Sequence, residues 1–307
     1  MGGLQLLIYI SILFFVVVVG AKMIKIVRMP LHVRWDLYPI PHEKGKGAYG
    51  GSYYEELDWW TKPANFSLLS EIKAMLKEII LVHSVYENNR PLWVFSFPFH
   101  LGMYSLLGFV ALMILGAVLG LFDITISAAS TSILGQTVHY LTLVLGTAGW
   151  ILAIVGAFGL FVNRLFGSKL RAATVFSDYI NLLFLLSVFV AGFVSWQTAD
   201  PTYSVMRGYM QNLISFEAAG ILPTTVAVQF WLLAALMFYF PFTHMTHMFA
   251  KYLTYHKVRW DDEPNTRGGK IESAVNEQLG YRLDWSAPHI KTGGTWGEAA
   301  TAPEEDE

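Results

Sequence analysis

The chain has 307 residues, 54% hydrophobic and 14% charged, with a formal net charge of −2 and a mean hydropathy of +0.44. Soluble domains carry about 25% charged residues, so this balance indicates a membrane protein, and the near-zero charge excludes a nucleic-acid footprint. Cysteine is absent, which excludes iron–sulfur clusters and thiolate zinc sites held by the chain itself, and also the C-x-x-C-H attachment of a covalent haem.

The first element is the apolar run within "MGGLQLLIYISILFFVVVVGAKMIK". It lacks a basic leader and a clear cleavage site and outruns a signal-peptide core, so it reads as a retained span. Crossing the hydrocarbon takes about 20 mostly apolar residues. Five segments meet that length: Leu4–Ile26, Trp93–Phe122, Leu134–Val162, Phe176–Trp196 and Val226–Tyr252. Only helices or closed barrels satisfy the backbone in lipid, and these lengths are helical.

Between the first two spans, "HVRWDLYPIPHEKGKGAYGGSYYEELDWWTKP" is rich in Tyr, Trp, Gly and Pro, a composition suited to docking another subunit. A helix follows it. Leu68, Leu69, Ile72, Met75, Leu76, Ile79 and Ile80 recur at helical spacing, opposite Glu71, Lys73, Lys77 and Glu78, as expected of a helix lying on a membrane or under a partner. The tail from about 260 is polar, ends "PEEDE" and has too little apolar content to predict a core.

Basic residues set the orientation. Lys22, Lys25, Arg28 and Arg34 follow the first span, Arg164, Lys169 and Arg171 the third, and Lys251, Lys257 and Arg259 the fifth. The connection Asp123–Ile133 has none, and Thr198–Thr225 has only Arg207. The bias predicts an all-α membrane protein, a five-transmembrane-helix bundle with its N-terminus outside and its C-terminus in the cytoplasm. Its regions are a first span (1–26), a cytoplasmic aromatic-rich segment with an amphipathic helix (27–92), a four-helix membrane region (93–255) and a cytoplasmic tail (256–307).

Helical rise converts position into depth. His100, early in the second span, and His247, late in the fifth, each fall roughly 10–12 Å from the bilayer centre on the cytoplasmic side. Intramembrane histidines cost insertion energy and are functional candidates by default. Two neutral imidazoles at one depth on different helices suit the two faces of a haem iron, with an apolar slot for the ring. His244, one turn from His247, is the alternate ligand or a hydrogen-bonding partner of a haem propionate or quinone, and Pro241 predicts a kink above the pair. His139 starts the third span on the opposite side, where Gln229 is the nearest polar residue by level. That polar pair beside apolar walls suits a quinone headgroup, with Glu217 and Arg207 in the same outer region. Gly116 and Gly120, and Gly146, Gly149, Gly156 and Gly159, fit either close helix packing or room for a porphyrin. His83, on the surface helix, has no assigned role. Two other classes use the same residues differently. One is a small metal or ion transporter built on His139, His244 and His247, disfavoured by the lack of inverted repeats. The other is a cofactor-free membrane anchor of a soluble enzyme.

Three stretches carry a family resemblance: "RLFGSKLRAATVFSDYINLLFLL" (Arg164–Leu186), "FPFTHMTH" (Phe240–His247) and "FHLGM" (Phe99–Met103). Over about 94–255 the chain resembles the cytochrome b subunits related to the respiratory nitrate reductase gamma subunit. Its aromatic insertion looks like the branch found in heterodisulfide-reductase-like and sulfate-reducer transmembrane redox complexes. The resemblance implies an electron-transfer subunit of a quinone-linked oxidoreductase in a bacterial or archaeal inner membrane, with haem b held by His100 and His247. It also implies menaquinone or another quinone, a cytoplasmic iron–sulfur subunit of the cysteine-rich-domain type, and often a periplasmic multihaem cytochrome c. The family's outer-haem position in the fifth span corresponds to Gln229 and that in the second span falls on apolar residues near Val110, so one haem is expected rather than two.

Overall fold

The hydrophobic runs become helices because nothing else closes the backbone hydrogen bonds within one segment. A computed structural model describes residues 2–28, 57–58, 67–255, 267–287, 290 and 292–302. His32, His42, His256 and His289, most of the aromatic-rich stretch proposed for docking, and the acidic end at 303–307 lie outside the described residues. Every regular element among those described is helical. In chain order they are α1 (Gly3–Arg28), α2 (Leu68–Leu81), α3 (His83–Asn88), α4 (Arg90–Leu121), α5 (Ile133–Phe166), α6 (Ser168–Ala172), α7 (Phe176–Thr198), α8 (Ser204–Ile214), α9 (Thr224–Tyr239), α10 (His247–Tyr255), α11 (Lys270–Leu279) and α12 (Trp296–Thr301). Five of these segments are long and apolar enough to cross a membrane: α1, α4, α5, α7 and Thr224–Phe242. The first four predicted spans match to within a few residues at each end.

The chain divides into two compact units. The first comprises residues 1–19 and 76–245, and the second residues 20–75 and 246–307.

In the first unit the helices pack in the row α4–α5–α7–α9, with α8 laid across α4. Glycines set the α4–α5 contact. A Cβ on Gly102 would strike the backbone of Ala153, and one on Gly156 the backbone of Phe99. Gly149 takes the side chain of Leu106 in the same way. The glycines of α5 are therefore filled by protein, which decides between the two sequence readings in favour of close packing. The core continues through Phe109, Met113, Trp150, Leu185 and Phe189. The first 19 residues add α1 by its buried face Gln5, Ile8, Ser11 and Val19, at helical spacing. Phe14 packs on Phe238, and Phe15 on Phe240.

The fifth apolar segment differs from expectation. Its α-helix stops at Tyr239 and gives way to two 3-10 turns, Phe240–Phe242 and His244–Thr246, instead of running to Tyr252. Pro241 has no N–H to continue the ladder, and the Thr243 hydroxyl donates to the Phe240 carbonyl at 2.8 Å, closing the turn.

In the second unit the tail is more ordered than its composition predicts. Thr295 and Glu298 form a reciprocal capping box at the start of α12. Leu283 and Ile290 are buried, and Trp285 packs edge-on to Trp296. Two isolated antiparallel bridges pair Arg282 with Thr295 and Ala287 with Ile290. A few well-placed apolar groups thus suffice for a local core.

The α4–α5 contact gives a direct test. Gly156→Ala is expected to destabilise the protein by about 1–3 kcal/mol, since backbone cannot move aside as a side-chain tip can. It should lower the melting temperature in detergent. Gly20→Ala, whose added carbon meets nothing within 4 Å, should leave it unchanged.

Candidate functional site

The α7–α9 connection builds one end of the bundle. Asp200 is 1% exposed, and its carboxylate accepts from the backbone N–H groups of Val205 (3.1 Å) and Met206 (2.8 Å), satisfying orphan donors at the start of α8. Tyr203 precedes this helix with φ +56°, a region that L-residues seldom adopt. It is fully buried against Phe109 and Gly146, and burial pushes its hydroxyl up to about 12. From α8, Arg207 and Gln211 enter the groove of α4, where added carbons on Gly116 and Gly120 would meet them at 2.9 and 2.6 Å. The G-x-x-x-G of α4 therefore receives polar side chains from a connecting helix. On α8's other side Tyr209 packs against Phe230 of α9, with ring centroids 4.7 Å apart. α8 thus bridges α4 and α9, the outer members of the row. α1 pins the following loop: Gln5 donates to the Glu217 carbonyl and Tyr9 to the Leu213 carbonyl, both at 2.7 Å.

His100 lies toward the opposite end of α4. Its Nδ1 sits 2.7 Å from the Ser96 carbonyl, an acceptor that places the ring proton on Nδ1 and the lone pair of the neutral ring on Nε2. Pro98, two residues earlier, removes a backbone donor from α4 just before the histidine. Phe99 and Tyr104 flank the ring. The Tyr104 hydroxyl donates to the Ile79 carbonyl at 2.8 Å, and the Trp93 indole donates to that of Leu81, also at 2.8 Å. Two C-terminal carbonyls of α2 are thereby capped by aromatic donors of α4. His83 pairs with Glu87 at 2.6 Å along α3.

At the same end, α9 hands over to a polar network. Tyr239 donates to Asn181 Oδ1 at 2.7 Å, and Asn181 Nδ2 lies 3.3 Å from His244 Nδ1. Asp178 is 3.7 Å from that ring and 3.5 Å from Arg164. Asn181 is buried inside an apolar helix, while His244 is exposed. His247 opens α10 in the second unit with its side chain exposed. In that unit the Lys22 ammonium donates to the hydroxyl of the preceding residue, Thr246, at 2.9 Å.

His139 and Gln229 are both buried, at 6% and 2% exposure, though each stands in an apolar helix. His139 Nδ1 and Gln229 Oε1 have no hydrogen-bond partner among the described residues. Both parent helices pack on α7. The charged neighbour of His139 is Arg207, while Gln229 adjoins Phe230, whose ring packs at a tilt against Tyr209. Sequence reasoning missed Ser96, Asn181 and Tyr239. Asn181 had a signal, an amide within an apolar helix. Ser96 and Tyr239 had none, because a serine or tyrosine in a span is ordinary.

Residues 83–261, well over half of the chain, match the family model described as Nitrate reductase gamma subunit. Neither a curated protein nor a solved structure matches the chain.

Asn181 depends on Tyr239 to satisfy its amide oxygen in an apolar setting. Tyr239→Phe is expected to cost about 1–3 kcal/mol, the penalty of leaving a buried acceptor unpaired. The loss should appear as an earlier unfolding midpoint in detergent, with no change in helical circular dichroism before the transition.

Proposed function

The chain belongs to the nitrate reductase gamma subunit family, and on that premise we propose that it is a single-haem, quinone-linked cytochrome b subunit passing electrons between the membrane quinone pool and a cytoplasmic iron–sulfur subunit. The family consists of membrane cytochrome b subunits of redox complexes, and the five apolar helices make this chain a multi-pass membrane protein. What remains is which residues hold the cofactors and what the partners are.

The helix row carries the one-haem reading. α4 and α9 are its outer members and share no extended packed face among the described residues. At one end α8 fills the interval between them, with Tyr203, Met206 and Tyr209 buried there. His100 lies toward the other end of α4, and after α9 the chain continues through His244 and, three residues on in sequence, His247. A porphyrin needs an interval several side chains wide, and at the α8 end Tyr203, Met206 and Tyr209 leave none of that width. The donor set fits the group: the Ser96 carbonyl directs the lone pair of His100 to Nε2, the form that ligates iron. Without cysteine the attachment is non-covalent.

His100 and His247 would hold the haem iron, with His244 as alternate. The haem supplies one-electron exchange when bound, and the chain supplies orientation and surroundings. Ser96 fixes the tautomer of His100, and Phe99 flanks its ring. Asn181, Asp178 and Arg164 hold a polar, partly buried cluster beside His244, suited to steadying a carboxylate-bearing edge. His139 and Gln229, buried with unpartnered acceptors, are the quinone candidates, for menaquinone or another quinone.

Several features support the partners and placement. A chain without cysteine must pass its electrons to a cofactor held elsewhere, which fits a cytoplasmic iron–sulfur subunit of the cysteine-rich-domain type. A periplasmic multihaem cytochrome c fits the opposite face. The basic residues after α1 and around α6 favour that end as cytoplasmic, in a bacterial or archaeal inner membrane. Against a metal-handling transporter, no three His, Cys, Asp or Glu side chains converge on a metal-holding geometry among the described residues.

Purified protein is expected to show a b-type absorption spectrum, and a pyridine haemochrome assay to return one haem per chain. His100→Ala and His247→Ala should each abolish the band, while His244→Ala retains it. Two haems per chain, or a band indifferent to both ligand substitutions, would overturn the assignment.

A further inference from the structure

The basic residue at the α8 end is buried and poorly satisfied. Arg207 is 6% exposed, and its recorded hydrogen bond, from Nη1 to the Ile126 carbonyl, is long at 3.3 Å. Nε and Nη2 have no hydrogen-bond partner among the described residues. Asp200, the nearby carboxylate, is committed to the amides of Val205 and Met206 and makes no ion pair with the guanidinium among the described residues. Unmet donors on a buried cation are costly, more so than on a neutral group.

The surroundings specify what would relieve that cost. The guanidinium lies over Gly116 of α4, where a Cβ would come within 2.9 Å of Nε, with a Val138 methyl on the same spot. The next residue, His139, is buried with Nδ1 unpartnered. Two guanidinium N–H groups and one imidazole nitrogen are therefore presented from α8 and α5 beside a glycine-floored, apolar wall. A hydrated inorganic anion gains little in such walls. A planar apolar molecule carrying a ring oxygen satisfies both the walls and the donors.

We propose that Arg207 binds the ring oxygen of the quinone, with His139 beside it, and that Gly116 is the space that lets the guanidinium take that position. This rests on the quinone-linked reading above and moves the centre of the site from His139 and Gln229 to His139 and Arg207. The positive charge strengthens the hydrogen bond to that oxygen. Gly116 serves as a positioning residue, because an added methyl there displaces Nε without removing the charge.

The test titrates the haem-loaded, detergent-purified chain with a fluorescent hydroxyquinoline N-oxide, a planar mimic of an anionic quinol, and follows quenching. Wild type should bind saturably at one site per chain. Arg207→Gln should weaken binding by about tenfold or more, the loss of a charge-assisted hydrogen bond. Arg207→Lys should recover part of it, and Gly116→Ala should weaken binding with the haem spectrum and melting temperature close to wild type. No saturable binding by wild type would overturn the quinone-linked reading and this site with it. Saturable wild-type binding that Arg207→Gln leaves unchanged would overturn the role of Arg207 alone. Should Arg207→Gln fail to fold, unchanged affinity in both Arg207→Lys and Gly116→Ala would overturn it equally.

Discussion

The contact on which the rest depends is the backbone approach of α4 to α5. Gly102 and Gly156 remove the side chains that would hold two helices apart in lipid, where no hydrophobic effect pushes them together. That contact fixes one face of α4 permanently, so whatever completes the core must do so on its other faces. At one end the answer is internal: α8 delivers Arg207 and Gln211 into the groove over Gly116 and Gly120, and Tyr209 to Phe230. At the other end α4 presents His100, an imidazole oriented by Ser96. The same helix thus receives protein side chains at one end and carries, toward the other, an imidazole whose Nδ1 rests on a backbone carbonyl.

The break after α9 follows from local chemistry and bears on that second end. A continuous helix would carry His244 and His247 around one cylinder, about 60° short of a full turn apart. The 3-10 turns after Tyr239 release them from that spacing. Asn181 and Asp178 of α7 lie within 3.3 and 3.7 Å of His244 Nδ1, so this imidazole's near side is committed to carboxamide and carboxylate. Partners on Nδ1 fix the orientation of the His244 ring, as the Ser96 carbonyl does for His100.

Legibility in the sequence tracked how local each cause was. Four spans and α2 were readable to within a few residues because apolar length and 3.6-residue periodicity are local properties. The end of α9 was half readable: Pro241 announced a disturbance, but not that two short turns would replace the helix. The folding of 270–301 was missed because composition averages away a few decisive groups, Leu283, Ile290 and the capping box Thr295–Glu298. Arg207 was the least readable. In sequence it is a lone cation in a polar connection, and nothing short of the α8–α4 contact reveals that it is buried.

That burial changes the meaning of the charge map. Between Asp123 and Ile133 the chain has no Lys or Arg, and between Thr198 and Thr225 only Arg207, so the α8 end shows solvent almost no positive charge. Arg164 lies at the opposite end of α5 from His139, the neighbour of Arg207. A cation counted in the topology of the chain is thus withdrawn from the surface and spent inside the protein. Burial lowers the Arg207 pKa while the charge of Asp200 opposes the change, and arginine remains charged across any physiological range.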